Sequence, residues 1–524
     1  MNRLLTRTLA VLVMCLASSA CSKQPNPGRA LCPGCNVVLI SMDTVRADHL
    51  GTYGYERPTS PNVDRLARRS FVFENAMSQS AWTLPAHGSM MTGVYPGRLG
   101  VTHYPAARRL PRSVPMLAEA FREAGYATAG FTGGGFVAGH FGFSRGFDEY
   151  VSKGRRFEHN MPQALEWLAE NKGRPFFLFL HGYNAHRPYY SLAADKEAVG
   201  LPSDAPRERR AFCLKGNRER PENLEEIVRY YDAALHSGDR QVGRFLDALR
   251  QKRLMKDTII LITSDHGDEF FEHGNCDHVR FLYREVINVP YILYVPGLTP
   301  RGKRVETLIP ASISVPRTLL DAVGIESGMP GVTLDPTLRG LPQHFDAVYS
   351  ETDSVAGRLG SRGETIALTT PRFKLMEYTE EGLEEAYDVR RDPYEQDVLP
   401  PDHDAYLQRT TLRDWHASMS GTWRTRERAA ARASQTTGSD ATAAQKRRVE
   451  AASAAVGARA TGDAAPDRRR ADDRRADDRP VAAGGATAGS EEKDGQRAEE
   501  GYEDGYEELP EELAEHLKAL GYVE

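Results

Sequence analysis

Short apolar runs alternate with segments of helical spacing over the first half of the chain. The runs occupy residues 37–40, 127–131, 176–180 and 259–262. Such runs are typical of buried parallel strands. Between them, Ser60-Pro61 precedes Val63 and Leu66, which predicts a helix with Ser as its cap and Pro in its first turn. Strands that alternate with helices predict an α/β fold.

Three of these runs lead directly to Asp or His residues. The first run leads to Asp43, the third to His181, and the fourth to Asp265-His266. Open α/β sheets bind their ligands beyond the carboxyl ends of the strands. The pattern therefore predicts a functional site at that edge of the sheet.

The pattern changes after about residue 300. Segments 372–375 and 386–393 are examples of the shorter strand-like segments and turns that follow. A later stretch rich in Ala, Arg, Asp and Gly is too polar to bury a core and is predicted to be disordered. The last residues place Leu513, Leu517, Leu520 and Tyr522 on one face of a short helix that docks on the body. The predicted segments are a signal peptide (1–20), a tether (21–36), a catalytic domain (37–310), a C-terminal subdomain (311–420), a disordered segment (421–505) and a C-terminal helix (506–524).

Composition narrows the class of protein. The 524-residue chain is 40% hydrophobic, which fits a globular protein with a sizeable core. A net charge of -5 and a pI near 6.3 give no electrostatic footprint for nucleic acid. We therefore expect no nucleic-acid partner.

The amino terminus has the layout of a secretory signal peptide. Arg3 and Arg7 precede an apolar stretch over residues 9–17, and small residues lead to Cys21. The stretch is too short for a membrane span, which needs about 20 residues. We expect export to the periplasm or cell envelope with a lipid anchor on Cys21, and plain cleavage near Ala20 is the alternative.

Cysteine spacing suggests local cross-links. Cys32-Pro33-Gly34-Cys35 has a redox spacing, but it precedes the first strand instead of opening a helix. This context favours a local structural disulfide over redox chemistry. Cys213 and Cys276 form a second candidate pair between two surface insertions.

Residues 81–93, Ala-Trp-Thr-Leu-Pro-Ala-His-Gly-Ser-Met-Met-Thr-Gly, resemble the nucleophile motif of the sulfatases. In that family a Cys or Ser is followed by x-Pro-Ser-Arg, and it is oxidised to formylglycine. Thr83 occupies the nucleophile position, and Thr is not a substrate for that oxidation. A Thr there is similar to a branch of phosphodiesterases and phosphoglycerol transferases that use a Thr alkoxide and one manganese-like ion. The resemblance implies that Thr83 is the nucleophile, although a helix-capping Thr83 would look the same. His87 stands where sulfatases carry Arg, and it would bind the substrate or orient the nucleophile.

Two further phrases resemble the metal-binding motifs of the sulfatase and alkaline phosphatase superfamily. Asp43 begins the first, which continues through Arg46, and Asp265-His266 lies in the second. The resemblance implies one divalent ion held by Asp43, Thr83, Asp265 and His266, with Arg46 as a substrate-binding residue. Many sulfatases have two adjacent Asp where this chain has Asp43-Thr44. An imidazole among oxygen ligands favours manganese or zinc, with calcium as a possibility.

Three more histidines lie in phrases that resemble sulfatase substrate segments. His186, before x-Pro-Tyr, matches the histidine that contacts the ester group, and His181 is expected to bind substrate or support the site. His278 lies where sulfatases place a Lys or His near the leaving oxygen. It is the candidate general acid or anion-binding group, and a structural role is the alternative.

These motifs identify the chain as a member of the sulfatase family. The resemblance implies a mostly parallel, alkaline-phosphatase-like sheet flanked by helices, with a smaller C-terminal α+β subdomain. It implies a metal-dependent hydrolase of a small-molecule, glycan or lipid ester, and Thr83 favours phosphodiesters. The alternatives are a sulfuric ester hydrolase, a periplasmic phosphoglycerol or phosphoethanolamine transferase, and a non-catalytic binding protein.

Overall fold

The computed structural model describes residues 30–104, 108–206, 208–209, 221–299, 301–354 and 363–420, together with 510, 513–515 and 517. Several predictions lie outside these residues. They are the signal peptide, lipidation of Cys21, most of the tether, the pairing of Cys213 with Cys276, the disordered segment and most of the C-terminal helix.

The described residues form sixteen strands and eleven α-helices. The strands are β1 (Asn36–Met42), β2 (Phe71–Met77), β3 (Ala127–Phe131), β4 (Glu149–Val151), β5 (Phe176–Gly182), β6 (Tyr189–Tyr190), β7 (Glu208–Arg209), β8 (Thr258–Thr263), β9 (Glu269–Phe270), β10 (Cys276–Asp277), β11 (Tyr291–Tyr294), β12 (Lys303–Pro310), β13 (Val348–Ser354), β14 (Gly363–Thr369), β15 (Phe373–Tyr378) and β16 (Leu383–Asp388). The helices are α1 (Pro61–Ala67), α2 (Thr83–Thr92), α3 (Pro96–Leu99), α4 (Leu117–Glu123), α5 (Phe157–Asn171), α6 (Ala193–Ala198), α7 (Leu224–Gln251), α8 (Arg284–Ile287), α9 (Ala311–Val323), α10 (Asp335–Leu338) and α11 (Arg409–Ser420).

An eight-stranded sheet forms the centre of the fold, in the order β12-β2-β11-β8-β1-β5-β3-β4. Only β11 runs antiparallel to its neighbours. Every residue of β1, β5 and β8 is buried, because helices cover both faces of the sheet. The predicted mostly parallel α/β sheet is confirmed.

The register of the central sheet places the polar residues at the strand ends next to one another. On β1, Ser41 lies opposite His181 of β5 on one side and Thr263 of β8 on the other. Asp43, His181 and Asp265 therefore emerge side by side at one edge.

Helices pack on the sheet and on one another. The 28-residue helix α7 has a buried apolar face and contacts α1, α5 and α6. Helix α9 packs against α2, so residues 311–323 support the helix that begins at Thr83. Helix α1 begins at Pro61 as predicted, but the Ser60 hydroxyl makes no cap bond and donates to the Asp64 carboxylate instead.

The C-terminal subdomain is a four-stranded antiparallel sheet, β13-β14-β15-β16, against which α11 packs. Its edge strand β13 contacts the loop that precedes Thr83: the Glu351 amide donates to the Gln79 carbonyl (3.0 Å), and the Ser80 hydroxyl donates to the Glu351 carbonyl (2.8 Å). The Thr352 hydroxyl also donates to the Val279 carbonyl (2.6 Å), next to His278. The subdomain thus supports two loops of the predicted site.

Two smaller features concern the cysteines and the helices. Cys32 and Cys35 form the predicted local disulfide. Within the part of the chain that the structure covers, no helix is both long enough and apolar enough to cross a bilayer.

His273 links the β9–β10 loop to the C-terminal subdomain. Its Nδ1–H donates to Glu285 Oε1 (2.7 Å), its Nε2–H donates to the Glu395 carbonyl (2.8 Å), and its ring stacks on Tyr283 at 3.6 Å. Burial alone would lower the pKa of His273, but the hydrogen bond to Glu285 and the charge of that carboxylate raise it above the ordinary value.

This raised pKa predicts pH-dependent stability. A raised folded-state pKa gives stabilisation that is complete below the unfolded value of about 6.5 and is lost as the pH rises through the folded value. We expect His273→Gln to lower the melting temperature more at about pH 6 than at about pH 8.5. Thermal unfolding of both proteins across this range checks the result. The exposed His159→Gln is the control, and an equal loss at both pH values would contradict the prediction.

Candidate active site

Four polar side chains meet at the carboxyl edge of the central sheet. Asp43 follows β1, Asp265 and His266 follow β8, and Thr83 is the first residue of α2. Thr83 Oγ1 lies 3.5 Å from Asp43 Oδ2 and 3.4 Å from His266 Nε2, and all four residues are completely buried. The structure thus assembles the predicted metal-binding set.

The local sequence explains why Thr83 begins a helix. Trp82 has an extended backbone, and Pro85 falls in the first turn, where its missing N–H costs no hydrogen bond. Gly93 ends the helix with a left-handed φ of 73°. Because free backbone N–H groups and the helix dipole favour negative charge at this end, an anionic ester beside Thr83 would be stabilised.

The donor set fits a divalent cation. His266 Nδ1–H donates to the Gly267 carbonyl (2.9 Å), so Nε2 carries the lone pair of a neutral ring. Burial lowers the pKa of His266 to about 4, and the neighbouring His278 adds to the shift. Nε2 lies 3.2 Å from Asp265 Oδ2, a buried oxygen whose other nitrogen neighbour, His87 Nδ1 at 3.3 Å, makes its shorter bond to the Thr83 carbonyl. His266 Nε2 and Asp265 Oδ2 are thus two buried acceptor atoms that face each other, and a cation between them would compensate the cost of their burial.

The pKa values of the two carboxylates in the set are shifted in opposite directions. Burial and the charge of Asp265 raise the pKa of Asp43 well above its ordinary value. Burial would also raise the pKa of Asp265, but the His266 and His87 rings hold it well below its usual range. Thr44, which replaces the second Asp of many sulfatases, donates its hydroxyl to Asp43 (2.7 Å) and its amide to Asp265 (3.3 Å). A hydrogen-bond donor therefore stands where those sulfatases have another carboxylate.

Two predicted site histidines support this set from within the protein. His87 Nδ1 donates to the Thr83 carbonyl (3.0 Å), and its Nε2 contacts Ser41 Oγ (2.9 Å). The Gly133 amide donates to His181 Nδ1 (3.1 Å), so His181 Nε2–H donates to Asp43 Oδ2 (3.0 Å). These contacts favour orientation of the nucleophile helix by His87 and of a metal ligand by His181 over contact with substrate.

Arg46 is also used within the protein. Its guanidinium pairs with Asp48 (2.8 Å), bonds the Glu272 carboxylate (2.5 Å) and donates to the Asp268 carbonyl (3.1 Å). These contacts hold the segment that follows His266, so they give no support to substrate binding by Arg46.

His186 and His278 lie together beside His266. The His278 ring centroid lies 4.4 Å from that of His266 and 5.2 Å from that of His186. Burial, and next the neighbouring His278, lower the pKa of His186 to about 3. The structure thus brings both predicted leaving-group residues next to the metal-binding set.

The sequence analysis missed the groups that hold His278. Asp268 and Asp277 contact the His278 ring, Tyr189 donates to Asp268, and Arg187 pairs with Asp277. All four lie within the predicted motifs or next to them. Asp268 is two residues from His266, but Tyr189 reaches it across 79 residues of chain, and local spacing does not report such contacts.

Comparison with known proteins identifies the class to which this fold and site belong. Residues 35–325 match the sulfatase family, and residues 271–414 match the C-terminal region of N-sulphoglucosamine sulphohydrolase. The chain belongs to the sulfatase family and is a hydrolase of that family.

Individual relatives agree with this assignment. A Delta 4,5-hexuronate-2-O-sulfatase of Bacteroides thetaiotaomicron is 26% identical over 438 residues, which are 75% of this chain and 88% of the relative. A choline-sulfatase of Rhizobium meliloti is 26% identical over 462 residues, 74% of this chain and 86% of the relative. The crystal structure of a phosphonate monoester hydrolase of Agrobacterium radiobacter superposes with a TM-score of 0.58 at 20% identity, covering 74% of this chain and 95% of that one. At that identity the structural likeness shows the fold alone.

Proposed function

We propose that the protein hydrolyses phosphodiesters with Thr83 as its nucleophile and one divalent ion as its cofactor. The observation that carries this proposal is the position of Thr83 Oγ1, 3.5 Å from Asp43 Oδ2 and 3.4 Å from His266 Nε2 at the start of α2. The hydroxyl therefore lies next to two of the predicted metal ligands, Asp43 and His266.

The residues select the metal by their chemistry. Asp43, Asp265, His266 and Thr83 would hold the ion, and one imidazole among oxygen donors suits manganese or zinc better than calcium. When bound, a divalent ion lowers the pKa of an attached hydroxyl and neutralises charge on the reacting ester.

The chain's own groups carry the remaining steps. Thr83 gives up its hydroxyl proton to solvent and attacks phosphorus through Oγ. The bond to the leaving oxygen breaks, and a protonated imidazole of His278 or His186 gives that oxygen its proton. Water then attacks phosphorus and returns a proton to the imidazole, and the bond to Thr83 breaks. His87, bonded to the Thr83 carbonyl, keeps the first turn of α2 in place throughout.

Thr83 favours phosphorus over sulfur because of how the intermediate is released. Formylglycine expels sulfate through collapse of a hemiacetal, and a threonine ester lacks the second hydroxyl that this exit needs. A threonine-bound phosphate is released by a second attack at phosphorus. Sulfate ester hydrolysis remains the second candidate because the curated relatives are named as sulfatases.

A direct comparison of the two esters tests the proposal. The mature protein is stripped with a chelator, manganese or zinc is restored, and turnover of bis(4-nitrophenyl) phosphate and 4-nitrophenyl sulfate is measured side by side. We expect kcat/KM for the phosphodiester to be about 100-fold higher, equivalent to about 2.7 kcal/mol of activation free energy. Faster turnover of the sulfate would overturn the release argument.

A further inference from the structure

We propose that Asp268 is a positioning residue that fixes His278 as the acid for the leaving oxygen. This inference rests on the proposed function, because it assigns to one side chain the proton transfer that the reaction needs. It concerns how the ring is held and which of its nitrogens faces the ester.

The contacts of the ring define its proton positions. His278 Nδ1 lies 3.2 Å from Asp268 Oδ1 and 3.1 Å from Oδ1 of the partly exposed Asp277. His278 is 4% and Asp268 1% exposed, so Asp268 is the buried one of the two carboxylates. A carboxylate only accepts hydrogen bonds, so Nδ1 must carry a hydrogen. Nε2 is therefore the nitrogen that exchanges a proton with the ester, on a ring whose centroid is 4.4 Å from that of the metal-ligand candidate His266.

Asp268 is itself held by other side chains. The Tyr189 hydroxyl donates to Asp268 Oδ2 (3.1 Å), and Arg187 Nε lies 3.8 Å from the same oxygen. Arg187 also pairs with Asp277, whose Oδ1 accepts the His278 amide (2.8 Å). With Oδ2 engaged by Tyr189 and Arg187, Oδ1 is left to orient His278.

The backbone around His278 supports the same function. Asp277 and Val279 have left-handed φ values of 102° and 87°, which are uncommon for residues other than glycine and costly for a β-branched one. Strained backbone of this kind persists where the surrounding structure holds it, often at functional sites. Here the turn presents His278 between Asp268 and His266.

The proton balance of the two steps follows from this arrangement. In the first step the phosphorus–leaving-oxygen bond breaks, and the Nε2 proton of the His278 imidazolium moves to that oxygen. In the second, a proton of the attacking water moves to Nε2 as the bond between phosphorus and Thr83 breaks. Nδ1–H stays on Asp268 in both steps, so the ring returns to its starting state.

A leaving-group series separates this function from a purely structural one. In Asp268→Asn, the amide oxygen would stay with Tyr189 and the amide NH2 would face Nδ1. A hydrogen on Nδ1 would then be opposed by the buried neighbour and held only by the partly exposed Asp277. We expect kcat/KM to fall about 10-fold for a 4-nitrophenyl phosphodiester and about 1000-fold for an alkyl one, because only the poor leaving group depends on the acid. His278→Ala should show the same increase of the loss from the good to the poor leaving group. Tyr189→Phe should show a smaller increase.

Asp195→Asn is the matched control. Asp195 is a buried carboxylate that holds His236 (2.9 Å) and Arg240 (2.9 Å) between α6 and α7, outside the site. We expect Asp195→Asn to leave the dependence of kcat/KM on the leaving group unchanged, even if it lowers the melting temperature.

The outcomes distinguish the inference from the function on which it rests. Equal losses across the series in folded Asp268→Asn and Tyr189→Phe would overturn the positioning function while phosphodiester hydrolysis stands. Turnover of sulfates alone by the wild-type protein would overturn the proposed substrate, and the same series would then be run with aryl sulfates of varied leaving group. Absence of turnover of both ester types by the wild-type protein would overturn both.

Discussion

Thr83→Ala is expected to lower kcat for phosphodiester hydrolysis by about 10⁴-fold or more, because the substitution removes the nucleophilic hydroxyl. Thr83→Ser keeps the hydroxyl and should retain activity within about 100-fold of the wild type, since only a methyl group that restricts the side chain is lost. Steady-state kinetics with bis(4-nitrophenyl) phosphate measures both variants. Acid quench during turnover, followed by peptide mass spectrometry, should find the substrate-derived phosphoryl adduct on residue 83 of the wild-type protein.

Thr92→Ala provides the matched control. Thr92 is the last residue of the same helix, is equally buried, and donates its hydroxyl to the Gly88 carbonyl (2.7 Å). It should keep near-wild-type kcat despite some loss of stability. Full activity of Thr83→Ala, or an adduct on another residue, would refute a nucleophilic Thr83.

Removal of the metal is expected to lower kcat about as much as Thr83→Ala does. Chelation should abolish turnover, and manganese or zinc should restore it, because an unneutralised pair of buried carboxylates beside Thr83 would repel an anionic ester. Calorimetric titration of the chelated protein should show about one divalent ion bound per chain, as the four predicted ligands form one site. A manganese concentration about 100 times the Kd should stabilise the fold by about 2.7 kcal/mol.

Substitution of a metal ligand should weaken metal binding more than substitution of a residue that only orients a ligand. Asp265→Asn should weaken metal binding about 100-fold or more, since Asp265 Oδ2 is the buried acceptor that faces His266 Nε2 at 3.2 Å. His181→Gln removes the imidazole that donates to the ligand Asp43, and it should weaken metal binding about 10-fold. Asp195→Asn should bind metal as the wild type does. If Asp265→Asn also bound with wild-type affinity, this set would not be the metal site.

Local sequence pattern predicted four of the eight strands of the central sheet and the edge at which its polar residues gather. The apolar runs before Asp43, His181 and Asp265 became the adjacent strands β1, β5 and β8. Burial on both faces requires continuous apolar residues, and parallel strands place their carboxyl ends at one edge. The motif at Thr83 coincides with the start of α2, where Pro85 falls in the first turn.

The sequence by itself therefore determined the fold class, the family and the residues that gather around Thr83. Only the tertiary structure decided what each polar side chain does. It turned Arg46 and His181 inward to protein partners, set the ring nitrogen that each histidine presents, and brought Tyr189 and Asp268 together on His278. The physical reason is that hydrogen-bond partners and proton positions depend on groups distant in the chain, whereas sequence periodicity reports only which residues are buried.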